Sequence, residues 1–257
     1  MLLLRVACVG RGGGQLNILI KKLQNYDDLP PADITALEGA CLGTVEVAAD
    51  RAIIEEGDRP NDVLVVLDGW AIRYKILKDG SRQILAFLLP GDVCDMCASV
   101  IEEMDHSIGT LTSVTLARIP RKKMEDLLAE RPVLTRAFLW AQMVEEATLR
   151  AWLVSLGRRD ALERVAHLFC ELWARAKNVG LALDHSIELP VTQTELSDAL
   201  GLTAVHVNRM LQRLREDGLI DLNRGVLKII DAEALGAVGG FDANYLHRKT
   251  SGERFRG

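Results

Sequence analysis

Residues 191–215, VTQTELSDALGLTAVHVNRMLQRLR, admit few folds, because their start and stop signals specify two short helices joined by a tight turn. Thr192 with Glu195 three residues on is a capping box, in which hydroxyl and carboxylate satisfy the free amides of a first helical turn. Leu196, Ala199 and Leu200 recur at helical spacing, and Gly201 stands where a left-handed residue ends a helix. Thr203 is placed to cap the second helix. There Val207, Leu211 and Leu214 fall at i, i+4 and i+7 and form one apolar face. At about 100° per residue, Val205, Arg209 and Gln212 point almost opposite, with Asn208 on one shoulder and Arg213 on the other.

A helix divided in this way can pack one face on a core and lay the other in a DNA major groove, the layout of a helix-turn-helix. Arg209 is the expected base reader, since a guanidinium grips the O6 and N7 of guanine bidentately, worth roughly 1–3 kcal/mol of discrimination. Thr192, Thr203, Ala204, Val205, His206, Asn208, Gln212 and Arg213 complete the expected DNA-facing set, with His206 as a phosphate contact. An amphipathic hairpin with a solvated charged face is the bland alternative, and the caps, the turn glycine and the segregated faces weigh against it. Downstream, EDGLIDLNRGVLKIID reads as two strands, residues 219–222 and 226–230, around Asn223-Arg224-Gly225. Those strands would complete a winged helix-turn-helix.

A chain of 257 residues is long enough for two domains with separate cores. No apolar run approaches the ~20 residues that span a bilayer, so no membrane segment is expected, and residence in the cytoplasm is. MLLLRVACVG has no basic leading region, and the GRGGG run lacks the lysine of a phosphate loop. Residues 1–15 are therefore expected to be a disordered leader. A net charge of −5 argues against a nonspecific nucleic-acid coat. Residues 204–215 nonetheless hold three arginines and no acid, which concentrates positive charge where phosphates would lie. No nucleophile elbow or metalloprotease helix is present, and Glu102, Glu103 and Asp105 read as solvated loop charge, so the chain is not expected to be an enzyme.

From residue 46 to 119 the pattern becomes short alternating strands between turn signals at Glu56-Gly57-Asp58, Asp68-Gly69, Asp79-Gly80 and Pro90-Gly91-Asp92. Their spacing suits a β-sandwich or barrel, with a jelly roll as the expected outcome. Pro132 to Leu156 holds no internal proline or glycine, and its apolar side chains wrap most of the way round, so that helix needs burial on several sides. Such a helix suits contact with its own β-roll and with a second subunit; a core helix in a monomer is the alternative. Gly157-Arg158-Arg159 reads as a hinge, and residues 161–176 as a further amphipathic helix packed behind the helix-turn-helix.

Taken in order, EGDRPNDVLVVLDGWAIRYKILKDGSRQILAFLLPGD and then GLTAVHVNRMLQRLR resemble the Crp/Fnr family of bacterial transcription regulators, over about residues 16–235. The resemblance implies an α+β chain: an N-terminal β-roll of the cyclic-nucleotide-binding type, a long dimerisation helix and a C-terminal winged helix-turn-helix. It divides the chain into an effector domain at residues 16–130, a dimer helix and hinge at 131–157, a DNA-binding domain at 158–235 and a tail at 236–257. It implies a homodimer on a palindromic promoter site in double-stranded DNA, with half-sites about 34 Å apart, and RNA polymerase as a partner.

The chain also departs from that family. Where cyclic-AMP-binding members carry a Gly-Glu pair for the ribose and an Arg-Ser pair for the phosphate, alignment from Gly91 places Asp95 and Met96, then His106 and Ser107. A thioether cannot hold a ribose hydroxyl and an imidazole lacks the forked donors of arginine, so cyclic AMP is not expected and the effector is open. The cysteines are Cys8, Cys41, Cys94, Cys97 and Cys170; with only Cys8 in the leader, an iron–sulfur cluster is not expected either. Cys94, Cys97 and His106 could form a metal or thiol site, although scattered cysteines in such a chain are more often buried apolar groups. Val205 stands where many relatives have a base-reading glutamate, which implies a nonstandard operator. A ligand-, redox- or metal-sensing β-roll with a vestigial DNA-binding domain is the competing function.

Overall fold

The computed structural model describes residues 16–96 and 103–247, so the expected leader, Cys8, Cys97 and Glu102 lie outside the described residues. The chain divides into two compact units, residues 1–143 and 144–257.

In the first unit α1 (Asn17–Gln24) and α2 (Pro31–Ala40) precede β1 (Gly43–Val47), β2 (Ala52–Ile54), β3 (Asp62–Asp68), β4 (Ala71–Ile76), β5 (Arg82–Leu88), β6 (Ser107–Thr110) and β7 (Val114–Pro120). The strands form two antiparallel sheets, ordered β1-β7-β3 and β2-β6-β4-β5. Strand periodicity sends alternate side chains to opposite faces, and β3 and β7 are apolar on both. Leu64 and Val66 of β3 join Val114 and Leu116 of β7 in a core shared with Ile54, Ala71, Leu88 and Ile108 of the other sheet. Val63, Val65, Ala117 and Ile119 face the other way, against Leu19 and Leu23 of α1 and Leu37 of α2. Met124 of α3 (Arg121–Glu130) and Leu134 and Phe138 of α4 (Pro132–Arg158) close the same cluster.

The four glycines of the predicted turns have φ of 89° at Gly57, 78° at Gly69, 84° at Gly80 and 92° at Gly91, a left-handed backbone that side chains resist. At Gly69 the requirement is also steric, because a Cβ there would lie 2.2 Å from the Ser113 carbonyl oxygen. The first strand starts at Gly43, three residues ahead of the expected start. Neither α1 nor α2 has a side-chain cap, and the same holds for α3.

The second unit begins inside α4 and continues through α5 (Ala161–Val179), β8 (Ser186–Glu188), α6 (Gln193–Leu200), α7 (Ala204–Glu216), β9 (Ile220–Asn223), β10 (Val226–Ile229) and α8 (Ala232–Gly239) to a 3-10 turn at Ala243–Leu246. Its helices start on side-chain caps: Asp160, Thr192, Thr203, Asp231 and Asp242 each accept a hydrogen bond from a following backbone amide. α5 packs on α8, α7 and α6. The wing is a three-stranded antiparallel sheet in the order β8-β10-β9.

Three sequence expectations are corrected here. The hinge expected at Gly157 is helical, since α4 runs through it to Arg158 and the Arg159 amide still donates to the Ser155 carbonyl. Glycine costs a helix only about 1 kcal/mol, and the break falls where Asp160 caps α5. The wing strands pair Asn223 with Val226 and Ile220 with Ile229, so the turn is the two residues Arg224 and Gly225, with φ of 48° and 77°. Two consecutive left-handed residues are what a type I′ hairpin needs. Residue 236 begins no tail: α8 continues to Gly239, and Phe241 and Tyr245 pack on the His167 ring at centroid distances of 5.3 and 5.9 Å. A Cβ on Gly239 would lie 2.6 Å from the His167 backbone nitrogen, so α8 meets α5 at the level of the main chain.

Candidate nucleic-acid interface

The turn that presents α7 is built from the signals in its sequence. The Thr192 amide donates to Glu195 Oε2 at 2.6 Å, and the Glu195 amide returns a bond to Thr192 Oγ1 at 3.3 Å. Gly201 ends α6 at φ 62°, and Thr203 Oγ1 accepts from the His206 amide at 3.2 Å. A side-chain cap of this kind contributes about 1 kcal/mol, and three such devices within twelve residues fix both ends of α6 and the start of α7.

Val207, Leu211 and Leu214 are buried, joined by Met210, which anchors α7 along one face. Val205 is 81% exposed, and Arg209, Gln212 and Arg213 are exposed as well. Arg209 makes no hydrogen bond or ion pair among the described residues. Arg213 stands 3.8 Å from Asp217, an exposed pair of little strength. His206 and Ala204 are half-buried near the start of the helix, where free amides and the helix dipole favour an anion.

Two members of the expected set are already engaged. The Thr192 hydroxyl donates to Glu195 at 2.8 Å, so it belongs to the cap. Asn208 Nδ2 donates to Gln193 Oε1 at 3.2 Å, which ties the shoulder of α7 to the first residue of α6. Gln193 was absent from the residues expected from sequence; its signal is its place in the first turn of the leading helix, on the exposed side. Arg215 donates to the Leu222 carbonyl at 3.1 Å and so braces the wing.

A buried polar cluster lies within the same unit. Glu171 on α5 is fully buried; its Oε2 accepts from Trp152 Nε1 at 3.0 Å and from the Tyr245 hydroxyl at 2.9 Å, while Arg175 Nη1 stands 3.4 Å from Oε1. Burial pushes its carboxyl above the usual range, against the pull of Arg175 and the donated bonds. The neighbouring His167 is driven down to about 4, chiefly by burial and secondarily by the charge of Arg159. Cys170 is pushed up to about 12 by burial alone, which leaves it a protonated, unreactive thiol.

In the first unit, the positions aligned with a nucleotide cradle are split among different surroundings. Met96 packs against the helix-facing core and Cys94 is buried between the sheets. Arg73 of β4 donates to the carbonyls of Val93 and Cys94, both at 2.9 Å. Ser107 Oγ accepts from the Glu56 amide at 3.0 Å. His106 stands between two carboxylates, with Nδ1 2.7 Å from Asp105 and Nε2 3.5 Å from Asp95. Its bond holds the Asp105 carboxyl below the ordinary value. Among the described residues no group of three or more His, Cys, Asp or Glu is placed to hold a metal, and the third member of the expected thiol site, Cys97, lies outside them.

The comparisons agree with this geometry. The sequence profile of the cyclic nucleotide-binding domain matches residues 44–131, and that of the Crp-like helix-turn-helix domain matches residues 163–238. The nitrogen fixation regulation protein FixK of Bradyrhizobium diazoefficiens is 31% identical over 196 residues, covering 75% of this chain and 81% of the relative. The transcriptional activator protein FnrL of Cereibacter sphaeroides is 28% identical over 68% of this chain and 71% of its own length. Among solved structures, FixK2 from Bradyrhizobium japonicum superposes with a TM-score of 0.69 at 25% identity, over 78% of this chain and 98% of that one.

Proposed function

Because the chain belongs to the Crp/Fnr family of DNA-binding transcription regulators, we propose that it acts as a homodimer on a palindromic site in double-stranded DNA, with its β-roll controlling the DNA-binding domain. The observation that carries the DNA reading is Arg209, exposed and uncommitted in the middle of a helix face whose opposite side is buried. Val205, Asn208, Gln212 and Arg213 flank it, and Thr203, Ala204 and His206 present the start of the helix to the phosphates. The domains are assigned as an effector β-roll at residues 16–130, a dimer helix in α4, and a DNA-binding fold from residue 158 that extends to His247.

Dimerisation is supported by the apolar side chains that α4 leaves uncovered in a single chain. Leu139 is 57% exposed and Leu153 72%, and Met143, Leu149 and Val154 are exposed too. A soluble helix seldom shows so much apolar surface unless a partner covers it. Among the described residues no helix is long and apolar enough to cross a membrane, and the reading places the protein in the cytoplasm, with RNA polymerase as a further partner.

The same reading makes a cyclic nucleotide the wrong effector for this roll. A cyclic phosphate brought to His106 would meet the carboxylates of Asp95 and Asp105, and like charges at that range repel. Calorimetric titration with cyclic AMP and cyclic GMP should give no binding heat.

The test of function pairs in vitro selection from random duplexes with light scattering of the intact chain. A recovered palindrome bound by a dimer, and lost on Arg209→Ala with the fold retained, supports the reading. A monomer, or operator affinity unchanged in Arg209→Ala, overturns it.

A further inference from the structure

One guanidinium in the DNA-binding fold gathers the ends of two helices. Arg164, in the first turns of α5, donates from Nη2 to the Leu156 carbonyl at 2.9 Å, from Nε to the Arg159 carbonyl at 2.9 Å and from Nη1 to the Leu200 carbonyl at 3.0 Å. Leu156 lies in the last turn of α4, Arg159 just past its end, and Leu200 is the last residue of α6. Carbonyls at helix ends have no partner within their helix and carry the negative end of the helix dipole. A planar cation with donors on several edges is the side chain suited to bridge them.

The bridge reaches the recognition helix through very little intervening chain. A Cβ on Gly201 would lie 3.5 Å from Leu156 Cδ2 and 3.9 Å from Arg164 Nη1, and Thr203, two residues on, caps α7. A second bond repeats the connection one turn earlier in α4, where Trp152 Nε1 donates to the buried Glu171. Trp152, Leu156, Arg164, His167 and Leu200 line one small pocket between these elements. The segment expected to be a hinge is instead tied to the helix-turn-helix through Arg164.

We propose that Arg164 is a positioning residue for operator recognition: by joining the ends of α4 and α6 it fixes the direction in which α7 leaves α4, and so the separation of half-sites the protein accepts. This rests on the homodimer reading, because a separation exists only if two recognition helices are held by one dimer. Inserting one base pair moves a half-site by about 3.4 Å and turns it by about 35°. A rigid junction must pay for that displacement, whereas a loosened one follows it.

The experiment uses the full-length protein and three duplexes built on the half-site recovered by selection: the preferred spacing, one base pair more and one base pair fewer. Wild type should lose affinity at least about tenfold on either altered duplex, and Arg164→Ala less than about threefold, while binding to a single half-site stays unchanged. Arg164→Lys keeps charge and stem, and therefore the fold, but one ammonium cannot span three carbonyls, so it too should relax the spacing. It decides the matter if the alanine variant fails to fold. A folded lysine variant with the wild-type spacing preference overturns the role of Arg164 alone. Wild-type indifference to spacing overturns the homodimer reading, and this proposal with it.

Discussion

The loop beside β5 and the recognition helix carry similar polar side chains and use them in opposite ways. Around the loop, Arg73 of β4 is bonded to two of its backbone carbonyls, Asp92 accepts from the Leu89 amide and from Lys22, and His106 stands between two aspartates. On α7, Arg209 and Gln212 point outward with no partner among the described residues. Bonds already made within the protein must be broken before a ligand can use the same donors, so Arg73 and Lys22 are poorly placed to take a charged guest. The outward arginine has no bond within the described protein to break first. The contrast favours α7 over the loop as the surface offered to phosphate and base edges.

The contrast breaks most readily at Arg73. Arg73→Ala strands the carbonyls of Val93 and Cys94, and unfolding in urea should show a loss of about 3 kcal/mol with operator binding otherwise retained. Arg209→Ala should do the reverse: stability within about 0.5 kcal/mol, and roughly 1–3 kcal/mol lost from specific binding in anisotropy titrations against matched and scrambled duplexes. Equal stability losses in the two variants would erase the distinction between a closed loop and an open helix.

Acid sharpens the comparison within the DNA-binding fold, since His167 is closed and Arg209 is not. The unfolded chain protonates this imidazole near 6.5 and the fold near 4, so its contribution is complete above the first value and disappears as pH falls toward the second. The change is at most about 3 kcal/mol. Glu171 opposes it, because a carboxyl raised by burial is easier to keep when protonated. The urea midpoint of wild type should therefore drop between pH 7 and 4.5 by more than that of His167→Gln. The smallest expected effect is that of Val205→Glu, which should leave the fold intact and shift base preference toward cytosine by about 1 kcal/mol, read by selection from randomised duplexes.

What was legible in the sequence had a local cause. Gly57, Gly69, Gly80 and Gly91 needed a left-handed backbone, and Thr192, Gly201 and Thr203 carried their caps within three residues, so the turns of the β-roll and the helix-turn-helix could be placed without knowledge of the rest. The apolar face of α7 followed from periodicity. What was missed depends on distant partners. α1 and α2 start without side-chain caps and are held by Val63, Val65 and their neighbours. α8 contains three glycines in or next to it and is stabilised by its close approach to His167. Gly157 suggests a break in the sequence although nothing at that residue prevents a helix; the stop signal is Asp160. Gln193 became visible only when two helices were set side by side.

The capped starts of the second unit also bear on time. Helices that begin on their own Asp or Thr, and a hairpin that pairs Asn223 with Val226, draw on short-range contacts. The roll must also bring Gly43 to Arg118 and Ala52 to Gly109 before either sheet is complete. Low contact order folds faster, so the half made last on the ribosome is the half expected to reach its final form sooner. The waiting time for a competent regulator is then set by closure of the roll, and slow refolding phases should be found in its tryptophan, Trp70, and not in Trp173 of α5.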